Sequence, residues 1–326
     1  MPGGNVGAIS AIPVDIFEAY IMQKLHRTNP HWNACTDESS FVLGGSIVHI
    51  PQAGNSPSVV KNRKSFPATA IQRGDSFVSY PLDVFSTDPT QITWQESNEI
   101  SYDKTDSVLN DMVATLVEAV GDNLFYYWVN GLKPSGSSFV SDQIPVSNII
   151  ATSGASAAVN SSDGQTGNRK AFTYHELQLA QAVMNKQLVP KTDRYACLES
   201  YMYQQFLDSL SANQMAAFQQ SADLTNGIVG KFAGFNLMER SEVLSFETTN
   251  TTVNVPGAAL LPTDNLSALA WQKDCVAKAA GDIKPFQRMD DPMYYGNIFS
   301  ALVKIGGRTR RQSWQGVLAI SQAPSV

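Results

Sequence analysis

The pattern of apolar and polar positions in residues 172–190 predicts a capped helix with a defined end. Thr173 and Glu176 stand three residues apart, so each side chain can satisfy an orphan backbone group in the first turn, which predicts a capping box. Pro190 cannot continue a helix, so the helix must end before it. The apolar positions between these signals recur at helical spacing and are Leu177, Ala180, Met184 and Leu188.

The next fifty residues predict a strand, a second helix and a hairpin. Residues 194–198 predict a short buried strand, and Ser200 is the predicted N-cap of the second helix. A polar stretch then leads to Asn226-Gly227, a turn signal, and residues 228–239 predict a strand, a glycine-marked kink and a strand. The helices are therefore expected to pack on a sheet. The apolar stripe of the second helix comprises Tyr203, Phe206, Leu207 and Leu210.

Two further helices are predicted outside this region. Residues 103–128 predict the longest helix, with acidic Asp103 and Asp106 at its positive end and a broad apolar stripe. Residues 14–25 predict a short amphipathic helix that needs a partner surface. The apolar face of this short helix comprises Ile16, Phe17, Tyr20, Ile21 and Leu25.

Residues 52–102 are polar, strand-prone and interrupted by prolines, which predicts a long two-stranded excursion. Such a hairpin is marginally stable alone. Its charges are segregated, and solvated faces are the simpler explanation from the charge pattern alone. The positive residues come first and are Lys61, Arg63, Lys64 and Arg73, followed by the negative residues Asp75, Asp83, Asp88, Glu96, Glu99 and Asp103.

Strands are predicted again near the end of the chain. Residues 266–280, 299–305 and 317–320 carry the apolar runs expected of strands. In the Ser- and Gly-rich stretch 131–170, residues 144–150 are the one clear strand candidate, and an exposed loop is expected there.

Composition narrows the functional classes. The chain has 326 residues, 43% of them hydrophobic, and a formal charge of −6, which argues against a dedicated nucleic-acid binder. Three widely spaced cysteines suggest neither a disulfide framework nor a zinc site. No segment has the apolar length of a membrane span, so no membrane partner is expected.

The sequence offers no recognisable reaction centre. The four histidines lie outside any metalloprotease motif, and no nucleophile elbow or phosphate-binding loop is present. Cys197 falls within the predicted apolar strand, which favours a buried, inert thiol. Asp282, Asp290 and Asp291 lack the spacing of a known cation loop and are interpreted as a solvated acidic loop. We therefore expect no catalytic residue, no metal and no cofactor.

One basic cluster has two open interpretations. Arg308, Arg310 and Arg311 form the densest group of positive charge, flanked by Gly306-Gly307. An intersubunit salt bridge is favoured over a phosphate contact because the chain as a whole is acidic.

The order of these signals resembles a known family. Residues 189–190, 194–207 and 226–237 are similar to the axial domain of tailed-bacteriophage major capsid proteins of the Hong Kong 97 fold. Residues 44–51 resemble the stretch that ends the N-terminal arm in that family. The resemblance implies an α+β fold in five segments: an N-terminal arm (1–51), an extended β-hairpin loop (52–102), a peripheral domain with a long spine helix (103–170), an axial domain with helices on a central sheet (171–245), and return strands completing both sheets (246–326).

The resemblance also implies a function. It implies a non-enzymatic coat protein that forms pentamers and hexamers of an icosahedral shell around double-stranded DNA, assembled in the cytoplasm of a host bacterium. A scaffolding protein and a portal are expected partners, with weak, non-specific contact to packaged DNA. The short N-terminal region departs from relatives that carry a cleavable assembly domain, which favours a separate scaffold. The expected intersubunit residues are Phe17, Tyr20, Lys61, Arg63, Lys64, Arg73, Asp83, Asp88, Glu96, Arg308, Arg310 and Arg311.

Two alternatives stay open from sequence. An encapsulin-like bacterial compartment shares this fold but encloses a cargo enzyme, and an enzyme with an unrecognised site would form a small oligomer. Some members of the family form covalent crosslinks between Lys and Asn side chains of neighbouring subunits, but no such pair can be aligned in this sequence.

Overall fold

A computed structural model describes residues 27–40, 47–54, 56–64, 66–67, 70, 72–94, 104–135, 138–159, 164–281, 283–311 and 313–325. Over these residues the protein is a mixed α+β structure. Its helices are α1 (Lys104–Val129), α2 (Tyr174–Lys186), α3 (Ser200–Ser209) and α4 (Ala212–Gln220). Its strands are β1 (Thr36–Asp37), β2 (Ile47–Gln52), β3 (Ser76–Pro81), β4 (Asp83–Ser86), β5 (Thr90–Thr93), β6 (Asn130–Ser135), β7 (Ser138–Gln143), β8 (Ile149–Ala151), β9 (Ser156–Ala158), β10 (Asn168–Lys170), β11 (Arg194–Glu199), β12 (Gly230–Phe232), β13 (Phe235–Arg240), β14 (Leu244–Phe246), β15 (Asn265–Gln272), β16 (Val276–Ala280), β17 (Lys284–Asp291), β18 (Gly296–Thr309) and β19 (Val317–Ser321).

A seven-stranded sheet forms the centre of one half of the protein. Its strand order is β12-β13-β11-β15-β19-β8, and β14 pairs with β15. Alternation along β11 sends Ala196 and Leu198 to one face, where they pack with α2, α3 and α4, and sends Cys197 to the other. On that other face the end of α1 contributes Phe125 and Trp128. The sheet is therefore covered on both sides, and the prediction that the helices pack on a sheet is confirmed.

Helix α1 connects this sheet with a second, six-stranded one. The second sheet has the order β1-β16-β18-β17, and β4 and β5 also pair with β18. Leu116 and Val120 of α1 pack against Val303 and Ile305 of β18. The long predicted helix is confirmed, and it supports both sheets. The strands predicted in 266–280, 299–305 and 317–320 are also confirmed: β15 and β19 join the seven-stranded sheet, whereas β16 and β18 belong to the six-stranded one.

The predicted turn and hairpin after Asn226 are confirmed. Gly227 has a φ of 70° and ends a single 3₁₀ turn. Strands β12 and β13 are joined by Ala233 and Gly234, which have φ values of 48° and 77°. Two successive left-handed residues match the twist of a tight hairpin, which explains the glycine there.

Some sequence predictions were wrong in detail. The cap of α3 is Glu199 rather than Ser200, since the Glu199 carboxylate accepts hydrogen bonds from the N–H groups of Tyr201 and Met202 at 2.9 and 3.1 Å. Helix α4 occupies part of the stretch predicted to be a polar loop. The sequence did not predict it because the helix buries only Phe218 and shows no clear apolar stripe. The hairpin β6–β7 was missed for a similar reason: its strands are rich in polar residues. The predicted helix of residues 14–25 lies outside the described residues.

The predicted capping box extends into a buried hydrogen-bond centre. The Glu176 side chain is 1% exposed. Its carboxylate accepts hydrogen bonds from the N–H and hydroxyl of Thr173 at 2.7 and 2.6 Å, and from the N–H and hydroxyl of Ser153 at 2.8 and 2.6 Å. Burial opposes ionisation, but these four donors outweigh it and hold the pKa of Glu176 below its ordinary value. Glu176 therefore fastens the start of α2 to the segment after β8.

Replacing Glu176 by Gln is expected to lower the free energy of unfolding by about 1.5–3 kcal/mol, because a neutral amide cannot accept all four donors. Since the folded-state pKa is depressed, this stabilisation is complete above the ordinary carboxyl pKa of 4.5 and is lost as the pH falls through the folded-state value. Urea unfolding from pH 7 down to pH 3 measures both effects. Exposed Glu247 provides the matched control. Equal stability of Glu176→Gln and Glu247→Gln at pH 7 would contradict this assignment.

Candidate subunit interface

The stretch between β2 and β3 extends away from the rest of the subunit. The two strands pair from Ile47 with Pro81 to Gln52 with Ser76. Near their base, Val48, Ile50, Val78 and Tyr80 pack against Ala277 and Ala279. Beyond the base, every described residue from 56 to 77 is exposed. We call residues 56–77 the loop surface.

The loop surface carries exposed apolar and positive side chains. Val59 is 97% exposed and Phe66 is 77% exposed. Lys61, Arg63 and Lys64 are exposed and make no ion pair with any described residue. Large exposed apolar side chains make the loop surface a candidate interaction site. Arg73 differs, because its guanidinium pairs with Asp75 at 2.7 Å.

A second exposed apolar surface lies on the hairpin β17–β18. Residues 283–290 are exposed on both faces of the edge strand β17, and residues 292–295 of the turn are exposed too. Trp94 adjoins the turn, since its N–H donates to the Tyr295 carbonyl at 2.9 Å. We call residues 283–295 together with Trp94 the hairpin surface. Its large apolar members and their exposed fractions are Phe286 (53%), Met289 (55%), Met293 (77%), Tyr295 (80%) and Trp94 (72%).

The acidic candidates have three different environments. Asp88 is exposed, at the turn between β4 and β5. Asp83 is half-buried and accepts a hydrogen bond from the Tyr127 hydroxyl. Glu96 lies outside the described residues, as do Phe17 and Tyr20. Sequence reasoning singled out no residue of the hairpin surface as an interface candidate, although Asp290 there is exposed.

The three arginines of the basic cluster also differ. Arg308 is 5% exposed. Its guanidinium donates to the Ser79 carbonyl at 2.9 Å, to the Leu132 carbonyl at 2.6 Å and to the Asp142 carboxylate at 2.5 Å. Arg310 is half-buried and its Nε donates to Glu38 at 3.1 Å, whereas Arg311 is exposed. Arg308 thus binds within its own subunit.

The same region anchors the base of the loop hairpin. The Tyr80 hydroxyl donates to Glu38 at 2.9 Å, and the other oxygen of Glu38 accepts from Arg310. Burial raises the pKa of both Tyr80 and Glu38. These contacts, with those of Arg308, fix β3 against β1, β6 and β18, so the direction in which the loop surface leaves the subunit is set by buried polar bonds.

The cysteine and histidine side chains considered as candidate reactive groups include Cys197 and His31, and both are buried. Burial raises the pKa of Cys197 to about 12, as expected for an inert thiol. His31 is fully buried, stacks on Phe125 with ring centroids 3.8 Å apart, and burial lowers its pKa to about 3. Over the described residues, no group of His, Cys, Asp or Glu has the geometry of a metal site. No helix in that same part of the chain is long and apolar enough to cross a membrane.

Solved structures of phage capsids are similar to this fold. The capsid asymmetric unit of cyanophage Pam1 matches with a TM-score of 0.67 at 11% identity, covering 97% of this chain and 98% of that one. The capsid of Ralstonia phage GP4 matches with a TM-score of 0.64 at 10% identity, over 100% and 99% of the two chains. The chain has the fold of these phage capsid subunits.

Further matches agree, and the similarity lies in structure rather than sequence. The capsid structure of cyanophage P-SCSP1u matches with a TM-score of 0.61 at 14% identity, over 96% of this chain and 93% of that one. No protein-family model matches the sequence, and no curated protein is significantly similar to it. The capsid fold predicted from loose motifs is therefore confirmed. At 10–14% sequence identity, the property that these proteins share is the arrangement of the backbone.

Proposed function

We propose that this chain is a major capsid protein that assembles into pentamers and hexamers of an icosahedral shell enclosing double-stranded DNA. The main observation in support is that the whole chain matches capsid subunits, with nearly complete coverage of both this chain and the matched chains. In this proposal the chain is a building block without enzymatic activity. Residues 1–51 are the arm, 52–102 the extended loop, 103–170 the peripheral domain, 171–245 the axial domain and 246–326 the return strands.

The two exposed surfaces support assembly from identical copies. The loop surface is apolar and positive, and the hairpin surface is apolar and includes exposed Asp290, exposed Lys284 and exposed Arg288, which pairs with Asp291. In a shell, the loop surface of one subunit would contact the hairpin surface and Asp88 of its neighbour, which buries apolar area and pairs opposite charges.

Net charge supports a limited role in holding DNA. At a formal charge of −6, the subunit offers little excess positive charge to displace counterions from phosphates. The shell would then confine DNA rather than bind it tightly. We propose a scaffolding protein and a portal as assembly partners, assembly in the bacterial cytoplasm, and the virion capsid as the final location.

Electron microscopy of the purified protein tests the proposal. Negative-stain images of the protein alone, and with a candidate scaffolding protein from the same genome, are expected to show closed shells or isolated hexamers and pentamers. Shells that contain nuclease-protected DNA would support the capsid function. Shells that copurify with a cargo enzyme and no DNA would indicate an encapsulin-like compartment, and a small monodisperse oligomer under both conditions would contradict shell formation.

A further inference from the structure

A short turn beside α1 is held in place by side chains rather than by strand pairing. It begins with the 3₁₀ helix Pro30–Asn33, and we call residues 30–34 the His31 turn. Its backbone hydrogen bonds to described residues are local, since the N–H groups of Trp32 and Ala34 donate to carbonyls three residues earlier, at 3.1 and 2.9 Å. The Ala34 carbonyl accepts from the Trp271 indole N–H at 2.8 Å. A segment attached in this way can open locally while both sheets stay intact.

The His31 side chain is the central contact of this turn. It is fully buried, and its Nε2 lies 3.1 Å from the Gly121 carbonyl oxygen of α1. A carbonyl only accepts, so Nε2 carries the proton and Nδ1 carries the lone pair. Nδ1 is buried without a hydrogen-bond partner among the described residues. The ring stacks on Phe125 and meets Trp128 edge-on, with centroids 5.9 Å apart in the second contact. The site therefore fits a neutral imidazole and offers no acceptor for a second ring proton.

The charges that face His31 come from three elements and are mainly positive. Arg240 of β13 and Lys278 of β16 both disfavour a positive charge on the ring. Asp122 of α1 is paired with Arg240, and Asp37 of β1 lies 3.8 Å from the Lys278 ammonium group. Burial, followed by the charge of Arg240, lowers the pKa of His31 to about 3.

We propose that His31 is an acid-sensitive latch, in which the neutral ring holds the His31 turn on α1 and protonation releases it. The protonated ring needs an acceptor for Nδ1 and separation from Arg240 and Lys278, and it gains both by moving into water. Release uncovers Phe125 and Trp128 at the end of α1. The contact is made within one chain, so this inference goes beyond the proposed function and does not depend on shell assembly.

The direction of the pH dependence follows from the two states of the ring. In the closed turn the pKa of His31 is about 3, and in the released turn it has the ordinary value of 6.5. The latch therefore has its full strength above pH 6.5 and weakens as the pH falls toward 3. Between pH 7 and pH 5, the open fraction of the turn is expected to rise about 25-fold.

Neighbouring carboxylates also titrate in acid, and their effects do not all agree in sign. Burial raises the pKa of Asp122 and of Glu38, so acid favours the closed state at these two groups. At Asp37, burial opposes ionisation but hydrogen bonds from Ser39 outweigh it and hold the pKa below its ordinary value, so acid favours release there. A variant without the imidazole is needed to separate these effects from that of His31.

Hydrogen exchange of the full-length, unassembled protein, read at single residues by mass spectrometry, tests the latch. The reporters are the amides of Trp32 and Ala34, which are hydrogen-bonded within the turn. After correction for the intrinsic pH dependence of exchange, their opening is expected to rise about 25-fold from pH 7 to pH 5. In His31→Gln, whose amide can donate to the Gly121 carbonyl but does not titrate, the rise should be much smaller. Equal pH dependence in the two proteins would overturn the proposal.

Two further readouts use the wild-type protein, so they hold even if His31→Gln does not fold. The amides of β11, in the centre of the seven-stranded sheet, should show no such rise, and a 25-fold rise there as well would mean global unfolding rather than release of the turn. Nuclear magnetic resonance of the histidine rings should show His31 neutral in the closed protein at pH 5. A ring that titrates near its ordinary pKa of 6.5 while the turn stays protected would overturn the proposal.

Discussion

Reversing the charge of Lys61, Arg63 and Lys64 to Glu is expected to abolish shell assembly while the subunit remains folded. All three side chains are exposed and make no ion pair with the described residues of their own subunit, so their removal costs the monomer little. In the shell, the same change would place like charges opposite Asp88 and Asp290 at every loop contact. Each exposed pair contributes only about 0–1 kcal/mol, but the penalty is repeated at every symmetric copy. Sedimentation of the assembly reaction measures the effect, and circular dichroism reports the fold.

A charge-preserving variant is the matched control for this experiment. Lys61→Arg, Arg63→Lys and Lys64→Arg keep the charge and the approximate length of each side chain and are expected to assemble. Adding Asp88→Lys and Asp290→Lys to the reversed protein is expected to restore part of the assembly. Normal yields of shells from the charge-reversed protein would show that the loop surface does not contact an acidic neighbour.

Replacing Arg308 by Ala is expected to lower the free energy of unfolding by about 3–5 kcal/mol, the usual cost of removing one member of a buried ion pair. The change removes one of the two cations that pair with Asp142, which keeps Lys133 at 3.0 Å, and it removes the Arg308 donor from the carbonyls of Ser79 and Leu132. Burial alone lowers the pKa of the Arg308 guanidinium, and Asp142 opposes that shift. Denaturant unfolding followed by tryptophan fluorescence measures the loss.

Lys304 offers a control on the same strand and the same face. It lies four residues before Arg308 on β18, but its side chain is exposed. Lys304→Ala should change stability by no more than about 0.5 kcal/mol. Arg308→Lys should recover only part of the loss, because an ammonium group cannot donate to three separated acceptors as the guanidinium does. If Arg308→Ala were as stable as Lys304→Ala, the buried network would not stabilise the base of the loop hairpin.

Arg308 also shows where sequence reasoning stopped. Strand alternation puts Lys304 and Arg308 on one face of β18, and nothing local distinguishes them. The difference is that β3, β6 and β7 cover the strand at Arg308 but not at Lys304. Because β6 and β7 are polar and short, no apolar pattern predicted that these strands would bury Arg308. A buried arginine therefore looked like part of an exposed basic cluster.

The predictable parts of the fold are those that local signals determine. The capping residue Glu176, Pro190 and the Asn226-Gly227 turn each act within a few residues, and the elements they define were predicted correctly. The hairpin surface was missed because β17 is exposed on both faces, so its residues show no alternation. The sequence also did not predict that β4 and β5, within segment 52–102, pair with β18. That pairing joins segments about two hundred residues apart, which local pattern does not encode.

Cryo-electron microscopy of assembled particles tests the central claim most directly. We predict a closed shell with fivefold and sixfold capsomers of this chain, in which residues 56–77 of each subunit contact the hairpin surface of a neighbour. Particles without such symmetry would contradict the account. A shell in which residues 56–77 stay exposed to solvent would contradict the proposed interface.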